Sequence, residues 1–319
     1  MNRNRPGVTD TGYPPVSRLR GELRIRDGVN PLDIEGSGAA IKLAIKDLKL
    51  FNEQIFSRCG LYFRENRLDF VNQRLLERLQ KNGLNSFLEY FHLLKYSPAG
   101  EKEFTKLLDI LTTKETSFFR NKPHFRVLEK EVFPDLIKRR GVNRTLSIWS
   151  AGCSTGQEPY SIAMVSREIS MKYPGVKIQV LGTDISTKAL LKAKKAVYPG
   201  RELAAIPRRF KAKYVESEDP EQDTFTLKQQ IRDLVAFKYH NLVSQDIDQL
   251  FDVIFCRNVV IYFRKNVTAG IMEKFHSLLK EDSYFFIGHS ETLNKVYDGF
   301  EMVEFEDAVI YRNNKVKGV

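Results

Sequence analysis

The chain has 319 residues, enough for one large domain or two ordinary ones, and its 42% hydrophobic and 29% charged residues are the balance of a globular protein. No apolar run approaches the roughly 20 residues that span a bilayer, and the opening MNRNRPGVTDTGYPP has charge but no apolar core of a secretory signal. A cytoplasmic protein without direct membrane insertion is the expectation. The net charge of +11 calls for an acidic partner, a description that nucleic acid, an anionic membrane surface and a glutamate-rich protein all meet.

Residues 1–40 are rich in Arg, Gly and Pro, lack helical or strand periodicity, and read as a mobile extension. Residues 41–118 read as a small all-helical domain. Leu48, Phe51 and Ile55 recur at helical spacing, as do Leu68, Val71, Leu75 and Leu79. Gly83 is a helix stop and Asn85 a cap for a helix carrying Phe87, Phe91 and Leu94 on one face; Phe104, Leu107, Leu108 and Leu111 repeat the spacing.

Past about Asn143 short β-rich runs alternate with helical stretches: LSIWSA, a helix from Glu158 to Lys172, KIQVLGTD, a helix from Thr187 to Val197, FDVIFCRN, a helix through Phe275, SYFFIGHS, and a hairpin from Phe300 to Tyr311. That alternation predicts an α/β fold over residues 119–319 with a doubly wound, mostly parallel sheet. About residues 200–240 the alternation breaks. An acidic turn, ESEDPEQD, followed by two strand-like pieces, TFTLKQ and DLVAFKY, predicts a small antiparallel β insertion.

The chemistry is concentrated after the first strand, where SIWSA leads into Gly152-Cys153-Ser154-Thr155-Gly156 and a helix. Ligands of open α/β sheets bind beyond the carboxyl ends of strands near the switch in strand order. The loop is neither a Walker loop, since no Lys-Ser/Thr follows, nor GxGxxG. Glu158, in the first turn of the following helix, repels a phosphate at the helix N-terminus and suits a cation. Asp184, at the tip of the second strand, is placed to accept hydrogen bonds from ribose hydroxyls. Together they point to an adenosine ligand without phosphate, such as S-adenosylmethionine. Three separated cysteines (Cys59, Cys153, Cys256) and five scattered histidines give neither a disulfide framework nor a metal site.

Six motifs in order, LTTKETSFFRNKPHF, WSAGCSTGQEPYSIA, LGTDIS, FKYHNL, FDVIFCRNVVIYF and FFIGHSETL, give the chain from Leu48 to Tyr311 a resemblance to the chemotaxis receptor glutamate methyltransferases of the CheR type. The resemblance implies S-adenosylmethionine-dependent esterification of glutamate side chains, with S-adenosylhomocysteine as product, and the cytoplasmic helices of methyl-accepting chemotaxis receptors as partner. It implies cofactor contacts at Lys114, Thr116 and Arg120 for the methionine end, with Glu158 as a further cofactor-binding residue. Asp184 is implied for the ribose, Asn241 and Leu242 for adenine, and Asn258 and Val259 for the central pocket. Family members often carry Asn where this chain has Lys114 and a second acidic residue where it has Gln157.

A glutamate carboxylate, with an ordinary pKa of about 4.3, is already ionised at neutral pH. Esterifying it therefore needs positioning rather than a general base, and no catalytic residue or metal ligand is assigned. The basic segment from Lys138 to Arg144 is a candidate for holding an acidic receptor helix. A methyltransferase acting on another acidic signalling protein, or on nucleic acid, is the alternative. Against the nucleic-acid alternative, CRNVVIYF lacks the Asn/Asp-Pro-Pro-aromatic turn usual in amino-methylating enzymes of that kind.

Overall fold

The computed structural model of the chain describes residues 43–112, 115–219 and 221–314. The proposed extension 1–40 and Lys114 therefore lie outside the described residues. Four helices, α1 (Ile45–Cys59), α2 (Leu68–Lys81), α3 (Phe87–Tyr96) and α4 (Gly100–Leu111), form the N-terminal part. Their apolar stripes close one core around Phe51, Val71, Leu75, Tyr90 and Leu107, each at most 1% exposed. α2 ends in a Schellman turn. Gly83, at φ 63°, donates to the Gln80 carbonyl while Leu84 donates to the Leu79 carbonyl. The cap of α3 is Ser86, whose hydroxyl accepts from the Glu89 amide at 3.2 Å; Asn85 sits one residue outside and donates its amide to the Glu89 carboxylate. Within this core Glu103 is paired bidentately with Arg78 at 2.7 and 2.8 Å, and it accepts further bonds from Tyr90 and Asn82.

Helices α5 (Lys122–Val127) and α6 (Phe133–Arg140) are joined by a π turn over Leu128–Val132. Pro134 lacks an N–H and its ring crowds the carbonyl four residues back, so the ordinary α spacing cannot hold there.

The second part alternates strand and helix: β1 (Thr145–Ala151), α7 (Gln157–Lys172), β2 (Lys177–Asp184), α8 (Thr187–Lys195), β3 (Val197–Pro199), α9 (Arg208–Tyr214), β4 (Val215–Asp219), β5 (Thr224–Leu227), α10 (Gln229–Arg232), β6 (Val235–Tyr239), β7 (Phe251–Cys256), α11 (Lys265–Leu278), β8 (Leu279–Ile287), β9 (Glu301–Phe305) and β10 (Ala308–Arg312). The main sheet runs β6-β2-β1-β7-β8-β10-β9, parallel except at the β10 and β9 edge. This is the expected α/β class, with helices on both faces. Phe255 and Phe286 stack at 4.2 Å on one face, and Trp149 packs on Phe251 and Phe275 on the other.

The small antiparallel sheet is β3-β5-β4. TFTL belongs to it as read from the sequence. DLVAFKY does not: its strand β6 pairs in parallel with β2 and forms the edge of the main sheet. After β6 the chain crosses to the far side of β1 to lay down β7, so the strand order reverses between β1 and β7. That reversal opens a crevice at the carboxyl ends of these strands.

Candidate functional site

One cleft occupies that crevice. It is floored by the ends of β1, β2, β6 and β7, and walled by the helical part through Cys59, Leu61 and Thr112. Its volume is about 1190 Å³, open mouth included. The two parts meet along its rim, where the Tyr62 amide donates to the Tyr262 carbonyl at 3.2 Å and Asn241 Nδ2 donates to the Arg58 carbonyl at 2.8 Å.

The loop after β1 is built for close approach. Gly152, Ser154 and Gly156 all have positive φ (81°, 51° and 96°). A Cβ on Gly152 would stand 2.4 Å from Val259 Cγ2, so only glycine lets the loop and the β7 turn touch. The Gly152 and Cys153 amides both donate to the Thr183 carbonyl at 2.8 Å, fixing the loop against β2.

Asp184 ends β2 at the cleft, and its carboxylate is oriented by two backbone amides. Oδ2 accepts from Ser154 and Oδ1 from Ser186, each at 2.8 Å. The N-cap of α8 is Ser186, whose hydroxyl accepts from the Ala189 amide. Glu158 projects from the first turn of α7 into the cleft. Its Oε1 accepts from Ser150 Oγ at 2.7 Å, and its Oε2 stands 3.6 Å from Arg257 Nε. Burial pushes the Glu158 carboxyl above its usual range, against the pull of Arg257 and Ser150.

The other sequence-assigned residues converge on the same cleft. Thr116 and Arg120 line it from the segment entering α5, and Arg120 Nη1 donates to the Glu115 carbonyl at 2.9 Å. Asn241 and Leu242 follow β6; the Asn241 side chain holds the turn, accepting from the Val243 amide as well as donating to Arg58. Asn258 and Val259 follow β7, with Asn258 at φ 58°. The Lys138–Arg144 segment is not brought to the cleft. It precedes the start of β1, a strand of seven residues, so it lies roughly 20 Å away at the amino-terminal ends of the strands. Arg139 and Arg140 are tied there to Asp135 and Asp252.

One buried and one half-buried charge, Arg257 and Glu291, carry no sequence motif of their own. Arg257, 6% exposed, donates Nη2 to the Arg120 carbonyl, yet its Nε and Nη1 make no hydrogen bond among the described residues. Burial lowers its pKa, with Glu158 opposing. Glu291 accepts from the Asn258 and Gly288 amides at 2.9 and 2.6 Å and so holds the β7 turn from behind. The one local cue is that Arg257 closes the apolar run Val253–Cys256, where a buried charge requires a partner. His240 also lines the cleft, and burial brings it down to about 4, so it is neutral at pH 7.

A family model described as "CheR methyltransferase, SAM binding domain" matches residues 114–309, and one described as "CheR methyltransferase, all-alpha domain" matches residues 46–112. The chain belongs to the CheR methyltransferase family. It is an enzyme that takes S-adenosylmethionine as cofactor. Among its relatives, the chemotaxis protein methyltransferase of Borreliella burgdorferi is 34% identical over 280 residues, covering 86% of this chain and 96% of that protein. Chemotaxis protein methyltransferase 1 of Pseudomonas aeruginosa is 35% identical, with 83% and 97% covered. The Escherichia coli chemotaxis protein methyltransferase is 33% identical, with 82% and 90% covered. No group of His, Cys, Asp and Glu among the described residues is arranged to hold a metal, and none of the helices there is long and apolar enough to cross a membrane.

Proposed function

We propose that this CheR-family enzyme esterifies glutamate side chains on the cytoplasmic helices of chemotaxis receptors, with the cofactor held in the cleft between β1, β2 and β7. The observation that carries the cofactor's placement is Arg257. A buried guanidinium with two unsatisfied donors calls for an anionic ligand, and the α-carboxylate of the cofactor's methionine end supplies one. Arg120, beside it in the cleft, offers a second guanidinium. Glu158 then faces the ammonium end, Asp184 the ribose, and Asn241 and Leu242 the adenine, with Thr116, Asn258 and Val259 shaping the centre. Lys114 belongs to the same sequence segment as Thr116 and is proposed to contribute from there.

S-adenosylmethionine supplies a methyl group activated on a sulfonium. The protein's task is to align an already ionised glutamate carboxylate with it and to keep water out. Cys59 and Leu61 from the helical wall, with Val259, Ile261 and Phe263 from the β7 turn, give the cleft an apolar lining suited to that task. No residue need accept a proton from the nucleophile. Positioning of this kind is worth roughly 7 to 11 kcal/mol.

The test is incubation of the protein with methyl-labelled cofactor and receptor-bearing membranes. Label on receptors that is released by mild alkali is the expected result. Alkali-stable label, or none on the receptors, overturns the reading.

A further inference from the structure

Besides the residues that wall the cleft, the helical part sends one carboxylate, Asp109, to the helix that follows β2. α4 packs on α8, and Asp109, near the end of α4, is aimed at the first turn of α8. Its Oδ1 accepts from Ser186 Oγ at 2.6 Å and from the Lys188 amide at 3.2 Å, while Oδ2 accepts from Thr187 Oγ1 at 3.4 Å. A carboxylate is favourable at that position because a helix N-terminus carries unsatisfied amides and positive potential. Asp109 adds to the cap that Ser186 already makes, and because it comes from a different part of the chain this addition exists only while α4 and α8 stay docked.

Ser186 links this contact to the site. It is 1% exposed, its hydroxyl donates to Asp109 and accepts from Ala189, and its own amide donates to Asp184 Oδ1 at 2.8 Å. The other Asp184 oxygen accepts from Ser154 in the glycine loop. An unbroken run of hydrogen bonds thus leads from Asp109 through Ser186 and Asp184 to Ser154.

We infer that Asp109 is a positioning residue that couples docking of the helical domain to cofactor binding. The inference rests on the assignment of Asp184 to the cofactor ribose. If docking of α4 seats Ser186, and Ser186 seats Asp184, then any movement of the helical domain away from α8 loosens the cofactor's hold. By reciprocity, the bound cofactor tightens the docking by the same factor. The helical wall of the cleft is thereby set in place before a substrate glutamate enters.

The experiment measures the Kd for S-adenosylhomocysteine by calorimetry on the full chain, together with amide hydrogen exchange of α1–α4 with and without that ligand. Asp109→Ala is expected to raise the Kd about tenfold, inside the roughly 5- to 150-fold range usual for coupled sites, and to abolish ligand-induced protection of α1–α4. Asp109→Asn, whose side-chain oxygen still accepts from Ser186, is expected to stay within about threefold of wild type on the same scale. Ser186→Ala approaches the contact from the other side and also raises the Kd, and the double variant is no weaker than the weaker single, because both remove one interaction. A purely structural Asp109 lowers the unfolding temperature only. Wild-type Kd in Asp109→Ala below its unfolding temperature, or retained protection of α1–α4, overturns the coupling; should that variant not fold, an unchanged Kd in Ser186→Ala does so. Asp184→Ala separates the two claims. If it too binds normally, the ribose assignment falls; if it alone loses binding, only the coupling falls.

Discussion

Removing the Asp184 carboxylate tests the cofactor site most directly, and the structure says what the change costs on each side. In the protein the carboxylate holds two loop amides, from Ser154 and Ser186, at 2.8 Å. Asp184→Ala leaves those amides to water in a partly open cleft, a loss of about 1–3 kcal/mol in stability if one of them stays unsatisfied. The bound cofactor loses more. Two ribose hydroxyls donating to a charged acceptor are worth roughly 1.5–3 kcal/mol each, so the loss is about 3–6 kcal/mol, or some 10²- to 10⁴-fold in Kd. Asp184→Asn is intermediate, because one side-chain oxygen serves one amide while the new NH₂ meets the other donor. Calorimetric titration with S-adenosylhomocysteine reads the affinity, and thermal unfolding reads the stability. A fall in melting temperature with unchanged affinity in Asp184→Ala would refute the ribose assignment and leave Asp184 as a loop fastener.

Arg257→Met retains bulk but removes the buried guanidinium, and the cofactor's Kd should rise about 10- to 100-fold, the value of one charge-assisted bond. Because burial already raises the Glu158 carboxyl and Arg257 opposes that rise, the variant's affinity should fall further at about pH 6 than at about pH 8; a pH-independent defect in calorimetry removes Glu158 from the cationic end. Gly152→Ala drives a Cβ to 2.4 Å from Val259 Cγ2 at a φ of +81°; cofactor affinity should drop about 5- to 150-fold, a backbone and clash cost of about 1–3 kcal/mol, and wild-type binding refutes the close approach. Glu103→Gln leaves Arg78 buried without its charge partner and should cost about 3–5 kcal/mol in urea unfolding at neutral pH. Burial raises the Glu103 carboxyl, but the bonds from Arg78, Tyr90 and Asn82 outweigh it and hold the pKa below its ordinary value. The stability Glu103 supplies is therefore present above the unfolded pKa and is lost as pH falls through the depressed folded one. The gap between wild type and variant should close in acid, and a gap constant with pH contradicts the ionised pairing.

Periodicity made the helices and the parallel strands legible, because each buries one face or both and shows it in residue spacing. What periodicity cannot supply is a strand's partner. DLVAFKY reads as a strand in either sheet, and its place beside β2 follows from the crossover topology rather than from its own residues. The helix cap shifted from Asn85 to Ser86 for a similar reason: both residue types cap, and the register is set by which side chain reaches the Glu89 amide. At the site, Glu158 and Asp184 were visible because each stands next to a loop where the chain turns at a strand end. Arg257 stands next to such a loop as well, but a cation inside CRN gives no spacing pattern, and only its burial against Glu158 reveals it. The basic segment Lys138–Arg144 shows the opposite failing. Its charge is plain in the sequence, but Arg140 is tied to the fully buried Asp252 at the amino-terminal ends of the strands, remote from the cleft.

The charges around the glycine loop explain why this cleft suits a cationic, zwitterionic cofactor better than a nucleotide phosphate. Two carboxylates, Glu158 and Asp184, flank the loop, and the loop's Ser154 amide, the type of donor that binds phosphate elsewhere, is already given to Asp184. A buried cation, Arg257, sits across the cleft at the end of β7 with donors to spare. Negative groups in the first turn of α7 and at the end of β2, and a positive group just after β7, present a dipole to the ligand, matching a molecule whose ammonium, sulfonium and carboxylate lie within a few bonds of one another.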